Sequence, residues 1–279
     1  MPATDRSRLL ADLKERIRRI EGVGGADGTA LVPLGLPDLD AALPGGGLAL
    51  GAVHEVVGAD ARLDGGAATA FAALLLARLA AGRGPVFWIG PAHDRHGHAL
   101  YPPGLAAYGL APDRLVLVQA DGRGKKGAAD ILWAMEEALR CPRVGAVIAE
   151  VGELDLAASR RLQLAAEAGG VPGLLLRLGP RRMESSACVT RWRLSAAPGE
   201  PDGLPGLGDP AWRAELLRVR GGRPGVWRLS WRDGRLAGWR LADAGLEGGP
   251  AAPEPGRGVA GAGQGIAPQG VVQLRVARG

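Results

Sequence analysis

Val53-His54-Glu55-Val56-Val57-Gly58-Ala59-Asp60-Ala61-Arg62-Leu63-Asp64-Gly65-Gly66-Ala67-Ala68-Thr69-Ala70 is the stretch that decides how this chain folds. A β-branched run ends at Gly58, a loop follows, and an Ala-rich helical segment begins at Gly66. Strand, loop and helix in this order form the layout of a phosphate-binding site, where N–H groups at a helix start face an anion. Such a loop also needs a Lys for the β/γ-phosphate charge and a Ser or Thr hydroxyl for Mg²⁺. Ala67 and Ala68 stand in those two places, and no lysine lies nearby. Gly58 and Gly66 are too far apart for a tight cradle, and Asp60 and Asp64 bring negative charge where phosphate would sit. Gly58, Gly65, Gly66 and Thr69 are what remains of a nucleotide loop, so the site is degenerate.

Outward from this unit the chain alternates. Short apolar runs at 53–57, 86–89, 115–118, 144–149 and 173–178 are predicted strands, with helices near 67–81, 127–140 and 155–169 between them. Strands interleaved with helices predict an α/β core whose mainly parallel sheet is covered on both faces. The strand at 144–149 leads into Glu150, a carboxylate where an Mg²⁺-organising Asp would be expected. His93, Asp94, His96 and His98 follow the strand at 86–89. Three His in a Gly-containing loop without a matching Cys read as a solvated turn rather than a metal site.

After Arg177 the helices stop. Runs at 189–195, 215–220, 226–232 and 236–241 read as strands, with Asp233-Gly234 as a hairpin turn and a Pro/Gly linker at 198–210. They form either an antiparallel extension of the sheet or a small β appendage. At the other end, residues 5–21 form an amphipathic helix with Leu9, Leu13, Ile17 and Ile20 on one face, suited to packing at home or docking on a neighbour. Four regions result: the N-terminal helix and linker (1–28), the α/β core (29–180), a basic, Trp-rich β extension (181–244), and a Gly/Pro/Ala tail (245–279) with too little to bury. The last residues, VVQLRVARG, read as a fraying end that could also add as a strand to a partner.

The composition suits a soluble globular chain of 279 residues, 47% apolar and 23% charged. No apolar run is long enough for a membrane helix, and the charged N-terminus is not a signal peptide. Cys141 and Cys188 lack any metal-ligand spacing and read as reduced thiols. The formal net charge of +5 is uneven: residues 177–240 hold 13 basic and 6 acidic side chains, residues 1–176 hold 18 and 20. Within the basic part, Arg181, Arg182, Arg191, Trp192 and Arg193 are candidates for single-stranded DNA, since arginines beside an indole suit phosphate contact with base stacking. The plainer expectation is that Trp192 is core and the arginines solvate a sheet edge.

The segment 39–48, Leu-Asp-Ala-Ala-Leu-Pro-Gly-Gly-Gly-Leu, followed by Gly51-Ala52-Val53-His54-Glu55-Val56, resembles the approach to the RecA ATPase core. Segments 100–105, 132–140, 159–167, 190–194 and 217–227 are together similar to the ImuA family, over roughly residues 30–243. The resemblance implies a RecA-like P-loop-type fold, commonly without an intact ATP site, and hence no cofactor. It implies a cytoplasmic, SOS-inducible accessory protein of mutagenic translesion synthesis. Its partners would be an ImuB-type adaptor and an error-prone DnaE-type polymerase, with RecA as a further one. Two alternatives stand beside it. One is a SulA-like cell-division inhibitor, although such proteins are usually much shorter. The other is a residual RecA-class ATPase with Arg62 in place of the loop lysine, which a guanidinium suits poorly.

Overall fold

The computed structural model describes residues 30–60, 62–91, 100–120, 124–178, 184–199, 208–241 and 272–276. A two-stranded ribbon, β1 (Leu31–Val32) with β2 (Leu48–Ala49), encloses the short helix α1 (Pro37–Asp40). Then come β3 (Val53–Gly58), α2 (Gly65–Leu79), β4 (Val86–Pro91), α3 (Pro102–Ala106), β5 (Leu115–Ala120), α4 (Gly124–Leu139), β6 (Ala146–Glu150), α5 (Leu156–Gly169) and β7 (Gly173–Leu178). Five further strands are β8 (Thr190–Ala197), β9 (Ala211–Val219), β10 (Gly225–Arg232), β11 (Arg235–Arg240) and β12 (Val272–Val276).

Ten strands share one sheet in the order β11-β10-β9-β8-β3-β7-β6-β4-β5-β12. From β8 through β12 every neighbouring pair is parallel, while β8, β9, β10 and β11 pair antiparallel. The strands after Arg177 therefore extend the main sheet and are no separate appendage. The join is β8, which lies parallel to β3 with His54 opposite Thr190 and Gly58 opposite Leu194. The expected hairpin is present between β10 and β11, with Asp233 and Gly234 both at positive φ, 50° and 72°. That backbone belongs to a turn whose twist matches the flanking strands.

Helix α2 covers one face of the sheet over β3, β6, β7 and β8. Its sequence, GGAATAFAALLLARL, is apolar almost all round, and nine of its residues are buried, as a helix enclosed by core must be. Phe71 packs on Trp192 (ring centroids 5.6 Å apart) and on Trp212 (6.3 Å), and Trp192 packs on Trp227 at 6.2 Å. The Trp-rich strands thus supply the core beneath α2. Helices α4 and α5 cover the opposite face with a second apolar cluster that includes Val53, Ile89, Met135, Leu162 and Leu175. Asp155 caps α5, accepting the Ala158 N–H at 2.6 Å, and Gly170 ends the helix in the left-handed region. Both are ordinary helix-boundary chemistry.

One expectation about the tail fails. Within 245–279, read as too poor in apolar residues to fold, Val272–Val276 forms a strand on the open side of β5. A strand needs little apolar area when a sheet edge supplies its hydrogen bonds.

Candidate functional site

The loop after β3 turns several of its backbone donors onto its own side chains. The Asp60 carboxylate accepts the N–H groups of Arg62 (2.7 Å) and Leu63 (2.9 Å) through Oδ1. Asp64 accepts the Asp60 N–H through Oδ2 (2.9 Å) and the Ala196 N–H of β8 through Oδ1 (2.8 Å). Ala59 donates its N–H to the Leu194 carbonyl at 3.0 Å. The N–H groups of Leu63 and Arg62 hold the Asp60 carboxyl below its usual range, against slight desolvation. Two carboxylates of the chain therefore satisfy these backbone donors from within. Their charge was evident in the sequence; their use as internal acceptors was not, although Asp two and three residues before a turn amide is the signal.

Gly58 ends β3, buried, and a Cβ there would meet Ala68, Asp64 and Asp60 only at ordinary contact distance, 3.6 Å and beyond. Gly65 and Gly66 open α2, and a Cβ on Gly66 would meet nothing within 4 Å. No close backbone approach demands glycine at these three positions. Arg62, considered for the loop lysine, is exposed and is absent from the pocket described next.

Gly66, Thr69 and Glu150 do converge. They line a pocket of about 380 Å³ at the C-terminal ends of β4, β6 and β7, together with Trp88, Tyr101, Tyr108, Gln119 and Leu178. Its described lining contains one carboxylate and neither Lys nor Arg. Glu150 is turned towards protein: its Oε1 accepts the Trp88 indole N–H at 2.6 Å. The same carboxyl lies about where a Cβ on Gly90 would point, 3.1–3.4 Å away. Among the described residues, this lining gives a polyphosphate no countercharge to offset its desolvation. Trp88, Tyr101, Tyr108 and Gln119 were not expected as lining residues, because they come from three elements that only the fold brings together.

Two members of the candidate DNA surface are corrected by the structure. Trp192 is fully buried against Phe71 and Trp227, so its ring cannot stack on a base. Arg191 points to the other face of the sheet, where its Nε donates to Glu55 Oε2 at 2.7 Å. Alternation along a strand makes this inevitable: adjacent side chains on β8 face opposite layers, and both layers are covered. Arg193 is partly exposed and ion-pairs with Glu215. Arg181 and Arg182 lie outside the described residues, as do His93, Asp94, His96, His98 and the candidate docking residues Leu9, Leu13, Ile17 and Ile20.

The residue that sequence reasoning missed most completely is Glu55. It is 0% exposed in the middle of β3 and accepts from Arg177 (2.9 Å), Arg191 (2.7 Å) and Ser186 (3.0 Å). Arg177 also donates to the Gly152 carbonyl at 3.0 Å. Beside this network Cys188 is buried, and desolvation with the Glu55 charge pushes its thiol up to about 12, which leaves it unreactive. Next along β3, His54 is buried with Nδ1 2.9 Å from the Thr190 hydroxyl and Nε2 3.0 Å from the Ala49 carbonyl. The carbonyl must accept, so Nε2 carries the proton and the Thr190 hydroxyl donates to Nδ1. Burial holds this ring neutral down to about pH 4.

The fold defines an α/β protein with a large, mostly parallel ten-stranded sheet, whose strand β3 leads into a loop hydrogen-bonded by its own acidic side chains. No family model matches the chain. Two curated relatives, Protein ImuA of Caulobacter vibrioides strain NA1000 / CB15N and Protein ImuA of strain ATCC 19089 / CIP 103742 / CB 15, do. Each is 41% identical over 213 residues, spanning 72% of this chain and 83% of the relative. The chain belongs to the ImuA family. Among the described residues, no helix is long and apolar enough to cross a membrane.

Proposed function

We propose that this protein is a non-catalytic accessory factor of damage-induced mutagenesis. It works in the cytoplasm by holding an ImuB-type adaptor together with an error-prone DnaE-type polymerase during translesion synthesis. The core is taken as RecA-like, with β3, its loop and α2 at the phosphate position and Glu150 at the metal-organising position. The observation that carries the proposal is the loop. The N–H groups of Asp60, Arg62 and Leu63 are taken by the Asp60 and Asp64 carboxylates, and the pocket beside it offers no basic side chain among its described residues. A scaffold whose loop lacks the lysine and hydroxyl, and has carboxylates on part of its amides, serves through its surfaces.

The test is affinity purification of this chain from its source cells, with and without DNA damage. Joint elution of the three proteins, unaffected by ATP, supports the proposal. Elution of this chain alone, or with the tubulin-like division protein in their place, would defeat it. The second outcome is the one a SulA-like inhibitor requires.

A further inference from the structure

The two edges of the ten-stranded sheet are guarded differently. The β11 edge carries Arg235 and Arg240 along Arg-Leu-Ala-Gly-Trp-Arg, the charged pattern that discourages foreign strands. The β5 strand, Leu-Val-Leu-Val-Gln-Ala, has no charge, no proline and no bulge. Among the described residues, its open side is covered by β12 alone, paired from Val272 on Val116 to Val276 on Ala120.

The register of β12 agrees with the chemistry of both faces. Gln273 lies beside Leu117 and lines the pocket that also holds Thr69 and Glu150. Val272 and Leu274 lie beside Val116 and Val118, on the α4 side, and stay 54% and 47% exposed. β12 is therefore fastened mainly by backbone hydrogen bonds, with little apolar burial, at the site where it forms one wall of the pocket.

We propose that the β5 edge is a strand-addition site whose resident occupant is this chain's own Val272–Val276, bound in cis as a releasable cap. Chain length argues for cis over a second copy. β11 and β12 lie on opposite edges, about 43 Å apart at ~4.8 Å per strand spacing. The 30 residues from 242 to 271 reach at most about 100 Å, and a free Gly-rich chain of that length averages roughly 30 Å end to end. A linker matched to its span gives an effective concentration on the order of millimolar, far above a micromolar second copy. Release would open the edge of β5 to another extended peptide and remove the Gln273 wall from the pocket in one step. This inference stands whether or not the pocket's role proposed above is right.

The test uses the full chain. In a C141S background, Gln119→Cys with Arg275→Cys places thiols at partnered positions on one face, whereas Gln119→Cys with Leu274→Cys places them on opposite faces. Mild oxidation by diamide of a mixture of two differently tagged copies is expected to close the first pair within single chains, at least tenfold faster than the second. A disulfide joining the two tags, or equal rates for both pairs, would overturn the cap. In a second measurement, Gln273→Pro with Leu274→Pro removes one of the inward N–H groups of β12, whichever of the two supplies it. A fluorescent peptide of residues 270–279 is then expected to bind that variant at least tenfold more tightly than the unaltered chain. Equal affinity for the two would contradict a resident occupant.

Discussion

The loop after β3 and the strand β8 lie side by side, and each carries residues whose types suggest a ligand. In the loop, glycines and a helix start suggest phosphate; on β8, Arg191, Trp192 and Arg193 suggest nucleic acid. Both regions turn those groups inward. The loop amides meet Asp60 and Asp64, Arg191 meets Glu55, and Trp192 meets Phe71 and Trp227. The two differ in depth. The loop's polar contacts range from exposed to part-buried, whereas Glu55 and its arginines are sealed in, so the regions should respond to substitution on different scales.

Glu55→Gln is expected to have the largest effect. It leaves Arg177 and Arg191 charged, buried and without their carboxylate, which costs about 3–5 kcal/mol; urea denaturation reads the loss. If the variant unfolds at an unchanged midpoint, the sealed network is not as described.

His54 comes next and acts through pH. Its folded-state value of about 4 lies below the ordinary 6.5, so the folded form binds fewer protons between those limits. Stability is therefore full above pH 6.5 and falls as pH drops towards 4, by about 3 kcal/mol if the ring stays buried. The pH dependence of the unfolding midpoint checks this, and His54→Gln should flatten that part of the curve.

Much of this architecture was legible from sequence. The apolar runs marked β3 to β7, and Asp233-Gly234 marked the last hairpin, because both signals are local. The pairing of Glu55 with Arg191 was not, since the partners are 136 residues apart and meet only once β8 lies against β3. Burial of Trp192 was open for the same reason: a basic, alternating strand looks half-solvated until helices are known to cover both faces. Absence of the loop lysine could be read directly, but the capture of its amides by Asp60 and Asp64 depends on the turn geometry. For the tail, composition argued against structure, and the β5 edge that accepts it is far away in sequence.

Nearer the surface, Asp64→Ala should cost about 1–3 kcal/mol, because it removes the acceptor of both the Asp60 and the Ala196 N–H. Arg193→Ala should be the smallest change, about 0.2–1 kcal/mol, since its pair with Glu215 is partly exposed. A larger loss for Asp64→Ala than for Glu55→Gln, measured in the same denaturant series, would reverse the comparison of the two regions.

The central claim is that the loop after β3 is closed to phosphate. Isothermal titration of the full chain with ATP and Mg²⁺, followed by a phosphate-release assay, tests it most directly. The expected result is no saturable heat at millimolar nucleotide and no release above buffer. Micromolar binding with measurable turnover would contradict it.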